Sequence, residues 1–175
     1  MAGNFKHLVL ILFYFFCFSC QSSEKRSQLG SELISGNLNV LLDNLDYFNT
    51  SNNSLTVAVY QNVGENKSDQ EIIVKNFQNK FNLKNEKIFD QPIRLEKIPK
   101  KIGNYPLFVD TDNTFQKRDD TLKISFVNLI ISENNQYAAV EVIKSLGNGA
   151  KYEVYYFKQK NDKWIFQGKE LIALG

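Results

Sequence analysis

The chain has 175 residues, of which 43% are hydrophobic, and 21 Lys and Arg stand against 19 Asp and Glu. That length carries one domain with a real core, and so even a charge balance predicts no nucleic-acid partner. The one histidine, His7, and the two cysteines, Cys17 and Cys20, all lie in the first 20 residues. The rest of the chain therefore excludes a disulfide, a Ser-His-Asp triad, a Cys nucleophile and a His or Cys metal site.

The first element is a leader. Lys6 and His7 precede an apolar run, Leu8–Phe18, which Ser19, Cys20 and the polar tract Gln21–Gln28 follow. A basic start, an apolar centre and a small residue before the cut describe a signal peptide. The run is too short for the roughly 20 residues that a membrane-spanning helix needs.

Phe16-Cys17-Phe18-Ser19-Cys20 resembles the lipobox of bacterial lipoproteins. The resemblance implies that residues 1–19 are removed and that Cys20 carries a diacylglyceryl thioether and an acylated amine. Ser19 fits the small residue before the cut, whereas Cys17 stands where the family prefers Leu; both are also small enough for an ordinary signal peptidase, so plain secretion and an uncleaved anchor are the alternatives. A single acyl chain holds a protein to a membrane only reversibly, and several make attachment effectively permanent. Gln21 in place of an Asp points to the outer membrane. The resemblance covers the leader and says nothing of the domain behind it.

Residues 20–30 read as a flexible tether, and residues 31–175 as a single domain. Ile34, Leu38, Leu41, Leu42, Leu45 and Phe48 form one apolar stripe, which predicts a helix over Ser31–Phe48. Leu55–Tyr60 reads as a short strand. Ser68-Asp-Gln-Glu71 is a capping box that opens a second helix to about Phe81, with Ile72, Ile73, Phe77 and Phe81 inward. Residues 82–121 hold Pro92, Pro99 and Pro106, which forbid a long helix. Ile93–Ile98 is the candidate strand there, and Lys97, Lys100 and Lys101 cluster around Pro99 as a solvated bend, with a site for anionic lipid or peptidoglycan as the alternative.

From Leu122 the pattern turns to strands: Leu122–Ile131, Gln136–Ser145, Ala150–Gln159 and Lys163–Leu174. Glu133-Asn-Asn135, Gly147-Asn-Gly149 and Asn161-Asp162 separate them as turns, and Gly168 marks a bulge. The expected fold is α+β, with two N-terminal helices on one face of a C-terminal antiparallel meander of four or more strands. The closing strands, Ile124–Asn128, Tyr152–Lys158 and Lys163–Phe166, resemble those of small extracytoplasmic bacterial domains.

Candidate chemistry is sparse. Asp110-Thr-Asp112-Asn-Thr114 begins like a calcium loop, but Phe115 and Thr121 stand where Gly and Glu are required, so it reads as a turn. Asp119, Asp120, Glu133 and Glu141 read as separate strand-flanking carboxylates. Gly147-Asn-Gly149 precedes no helix, so it is no phosphate loop. No catalytic, metal or cofactor residue is assigned. Tyr152, Val154, Tyr156, Trp164 and Phe166 read as one core face.

Strict alternation puts Glu153, Tyr155 and Phe157 on the opposite face, with Val127, Leu129, Ile131, Ile143 and Ile165. So much apolar surface is rarely left in water. Either residues 82–121 fold back over it, or Tyr155 and Phe157 form a partner face. The expected protein is a lipid-anchored, non-enzymatic envelope module that binds, inhibits or scaffolds. Its partners are the membrane, through Cys20, and an envelope protein or glycan. The alternatives are a carboxylate-dependent, glycan-acting envelope enzyme and an immunity-type protein.

Cys20→Ser should leave the precursor uncut or release the protein to the soluble fraction. Detergent-phase partitioning and intact mass check this, and no change in either would refute the anchor.

Overall fold

The computed structural model describes residues 24–48, 55–64, 70–84, 93–111 and 120–175. The leader, Cys20, the loop 49–54, the capping Ser68 and residues 112–119 lie outside them. Among the described residues, no helix is long and apolar enough to cross a membrane.

The helical stretch α1 covers residues 24–36. α2 follows as Leu38–Leu41, and a 3₁₀ turn spans Leu45–Phe48. One continuous helix over Ser31–Phe48 is not what forms. The Asn37 side chain donates to the Leu33 carbonyl at 2.8 Å and competes with the helix ladder there. Asn44 takes φ 56°, a left-handed conformation that asparagine tolerates. The apolar stripe nonetheless buries as expected, from Leu33 and Ile34 to Leu45 and Phe48. Residues 24–30 are helix, not tether. Gly30 is buried against Leu129 and Ile93, so close that a methyl group would overlap both side chains.

The strands are β1 (Thr56–Tyr60), β2 (Asn62–Val63), β3 (Ile93–Arg94), β4 (Lys101–Ile102), β5 (Tyr105–Asp110), β6 (Thr121–Ile131), β7 (Tyr137–Leu146), β8 (Gly149–Lys160) and β9 (Lys163–Leu174). α3 is Gln70–Phe81. Seven strands make one curled sheet in the order β4-β5-β1-β6-β7-β8-β9, and β2 pairs with β3 separately. β6 to β9 are the expected antiparallel meander. Asn161 and Asp162 both take positive φ, the two-residue turn whose twist suits a hairpin.

The expected fold class is overturned on two points. The sheet extends past the meander through β1, which runs parallel to both β5 and β6. The helices also do not share a face. α1 and α2 cover one side with Val57, Val59, Leu122, Phe126, Val140, Tyr155 and Phe157. α3 covers the other with Ile130, Ala139, Val154 and Tyr156. The physical reason is that β6 to β8 are apolar on both faces, so each face needs a cover. Within α3, Ile73 and Phe77 point inward while Ile72 is exposed.

Bulges break the assumed alternation. Val127 is an extra residue in β6, so Leu129 and Ile131 join Leu122, Ile124 and Phe126 on the α1 face. Gln167 is extra in β9, beside Gly168 at φ 127°. The two-residue turn at Asn161-Asp162 already pairs Trp164 with Gln159 and Phe166 with Phe157, so neither shares a face with Val154 and Tyr156. Trp164 is buried in the α1 layer, and the Phe166 ring centre lies 5.9 Å from that of Phe157.

Two glycines in one helical stretch give opposite expectations. Gly30→Ala should destabilise by about 1–3 kcal/mol through overpacking. Gly36 has open space around it, so Gly36→Ala should stabilise by about 0.5–1 kcal/mol. Urea unfolding of both variants checks the contrast.

Candidate functional site

Of the chemistry-bearing residues that converge, the sequence reading singled out only Tyr155, as one half of a partner face, and gave Asp43, Lys144, Glu153 and Lys169 no chemical role. α2 ends at Leu41, and the turn after it presents Asp43. Lys144 comes from β7, and Glu153 and Tyr155 from β8, all on the α1 face. Lys169 comes from β9, and the Gln167 bulge sets it opposite Tyr155.

Lys144 is fully buried. Its Nζ donates to the Asp43 carbonyl at 2.8 Å, to Asp43 Oδ1 at 3.0 Å and to Tyr155 Oη at 2.8 Å. It also lies 3.1 Å from Glu153 Oε2. Tyr155 Oη lies 2.6 Å from Asp43 Oδ1 and 3.0 Å from Glu153 Oε2. Lys169 Nζ bridges Asp43 Oδ2 and Glu153 Oε1 at 2.8 Å each. Lys151 reaches Glu153 Oε1 at 3.1 Å. Three cations, two carboxylates and one phenol thus form a closed set, in which Lys144 and Lys169 each join both carboxylates.

Electrostatics follow from burial and these partners. Burial alone would raise the Glu153 carboxyl. Hydrogen bonds from Lys169, Lys151 and Lys144, with the Lys144 charge, outweigh it and hold the group at about 2. Asp43 is likewise lowered, its burial outweighed by Lys169, Tyr155 and Lys144. Burial lowers Lys144, and Asp43 and Glu153 only partly restore it. Tyr155 is raised, first by burial and then by Asp43 and Glu153, so its phenol stays protonated.

Beside this cluster lies a cleft of about 450 Å³, lined by Tyr47, Phe48, Leu146, Gly149, Ala150, Lys151, Leu174 and Gly175. Lys151 belongs to both, its Nζ 5.5 Å from the centre of the Tyr47 ring. Tyr47 and Leu174 are exposed at the rim.

The residues singled out from sequence fall elsewhere. Cys20, Asp112 and Asp119 lie outside the described residues. Asp110 is buried at the end of β5, while Asp120 and Glu133 are exposed. Glu141 is buried mid-sheet, where Asn128 donates to it at 2.5 Å. Tyr155 and Phe157 are fully buried beneath α1, α2 and the segment holding Ile93 and Leu95. The chain itself thus covers that face, and part of the cover comes from residues 82–121. Among the described residues, no group of three or more His, Cys, Asp or Glu is arranged to hold a metal ion. A signal for the cluster did exist: Lys144 interrupts an apolar strand, and a buried lysine requires an anionic partner.

Lys144→Met should cost about 3–5 kcal/mol, because it removes the buried partner of both carboxylates and leaves Asp43 with Lys169 and Glu153 with Lys169 and Lys151. A depressed carboxyl contributes stability above its unfolded value and loses it as pH falls through its folded value. Stability should therefore fall between pH 4.5, the ordinary glutamate value, and about pH 2. Glu153→Gln should flatten that slope. Urea unfolding at a series of pH values checks both.

Comparison with protein-family models, with curated proteins and with solved structures finds no match. The functional reading therefore rests on the geometry of this chain.

Proposed function

We propose that the protein is a lipid-anchored, non-enzymatic binding module of a bacterial cell envelope, held at the outer membrane by Cys20. The observation that supports this most is the protonation state of the Asp43–Glu153 pair. Carboxylate-based glycan hydrolysis needs one carboxylic acid whose pKa is raised, so that it can protonate the leaving group. Here both carboxyls are lowered, both are held by lysines, and Tyr155 is locked as a neutral donor. The cluster works as a clamp between α2 and the sheet.

The binding function then belongs to the surface beside the clamp. Tyr47, Phe48, Leu146 and Leu174 give the cleft an apolar wall, with Lys151 as its cation. Apolar clefts of 300–1,000 Å³ with few polar groups are the usual form of ligand sites. An envelope protein or a glycan is the class of partner.

A photo-crosslinking residue at Tyr47 should yield a discrete envelope adduct in intact cells. The same residue at Ile72, exposed on α3, should not. Equal labelling at both sites would refute the cleft. Release of reducing ends from peptidoglycan that disappears in a folded Glu153→Gln variant would overturn the non-enzymatic reading.

A further inference from the structure

We infer that the anchored domain does not stand off the membrane. It lies on it, through a basic strip formed by residues 94–101 that runs alongside α1 and α2 from the level of Gly30, and the surface it meets is an anionic lipid headgroup layer. This rests on the reading of Cys20 as the lipidated residue.

The first argument is reach. The helix is already formed at residue 24, so only residues 21–23 separate it from Cys20. Fully extended chain covers at most about 3.6 Å per residue, which keeps residue 24 within about 14 Å of the lipidated residue. That is well under the diameter of a domain of this size, about 30 Å or more.

The second argument is placement. Gly30 lies six residues along α1, about 9 Å further at 1.5 Å per residue. It packs against Ile93. From there the chain runs beside the helical segment over the same face. Leu95 is buried in the shared core, and Ile98, Ile102 and Tyr105 pack on it. Tyr105 then hydrogen-bonds Asp46 near the far end of the helical segment. The segment therefore flanks α1 and α2, with its apolar residues inward.

The third argument is charge. What this segment turns outward is Arg94, Glu96, Lys97, Pro99, Lys100 and Lys101, all exposed. Over residues 24–32 and 94–101, six Lys and Arg stand against three Glu. The chain as a whole carries +2, so the excess is local to the anchored side. Basic residues at an anionic leaflet attract it within a Debye length, and a lipid chain with a basic patch is a recognised pair of membrane signals. Attachment at Cys20 brings the strip to the surface, and the lysines then select its orientation.

The domain is suited to a direct test, since it has no thiol beyond Cys20. Glu96→Cys and, on the opposite side of the sheet, Lys75→Cys each give one labelling site in the lipidated protein. The fluorescent conjugates are bound to phosphatidylcholine vesicles with and without phosphatidylglycerol, each containing a headgroup spin-labelled quencher. The expected result is quenching at residue 96 but not at residue 75, strongest with phosphatidylglycerol and weakened by salt.

The second arm uses the unlipidated chain without its leader, residues 20–175 with Cys20→Ser, with and without Lys97→Gln, Lys100→Gln and Lys101→Gln. These three exposed lysines hold no part of the core. Partitioning onto phosphatidylglycerol vesicles should fall by about 10- to 100-fold, since each basic residue near the surface contributes about 1 kcal/mol. Equal quenching at residues 96 and 75 on vesicle-bound protein would leave the anchor standing and overturn the orientation. Partitioning unchanged by the triple substitution would also overturn it. A protein that stays out of both vesicle populations removes the anchor, and the inference with it.

Discussion

The rest of the structure depends on one buried ammonium group. Lys144 sits in the middle of β7 with no exposure to water. An isolated charge there would be prohibitively costly, so its surroundings must be anionic and close. Glu153 answers from the neighbouring strand, and Asp43 answers from the turn after α2. The Asp43 contact fixes where the helical segment ends on the sheet, because Lys144 takes both its carboxylate and its backbone carbonyl. The position of the cleft beyond Tyr47 follows from that.

How much of this was legible in the sequence divides by the range of the interaction. The four strands of the meander and their turns were readable, because Asn161-Asp162, Gly147 and Gly168 impose local backbone conformations. The placement of β1 was not. A strand between β5 and β6 is set by pairings over 50 residues away, and short strands carry no mark of their neighbours. The faces of the sheet were misread for a different reason. A period of two survives only until an extra residue enters: Val127 enters β6 without a local sign, whereas Gly168 marked the bulge in β9 without showing which residues it would move to which face.

The site was missed because its members are far apart and ordinary singly. Asp43 looks like a polar residue closing a helix, and Lys169 looks like a charge on an outer strand. Only the bulge beside Gly168 brings Lys169 to the face where Tyr155 lies. Glu153 and Lys144 were the readable pair, since each interrupts an apolar strand. With the helices on opposite faces, the molecule also has two distinct sides. One carries the clamp, the cleft and the basic strip, and the other carries α3.

β1 has a consequence for how the chain is born. It is an early strand, but both strands that flank it, β5 and β6, come later in the sequence. Val57, Ala58 and Val59 are wholly enclosed in the finished molecule. During synthesis or passage through a translocation pore the chain emerges from its N-terminus, and nothing then exists to pair with them. The first half cannot complete its structure until residues 121–131 have appeared. Strand order alone thus keeps the first half of the molecule unfinished until its second half is present.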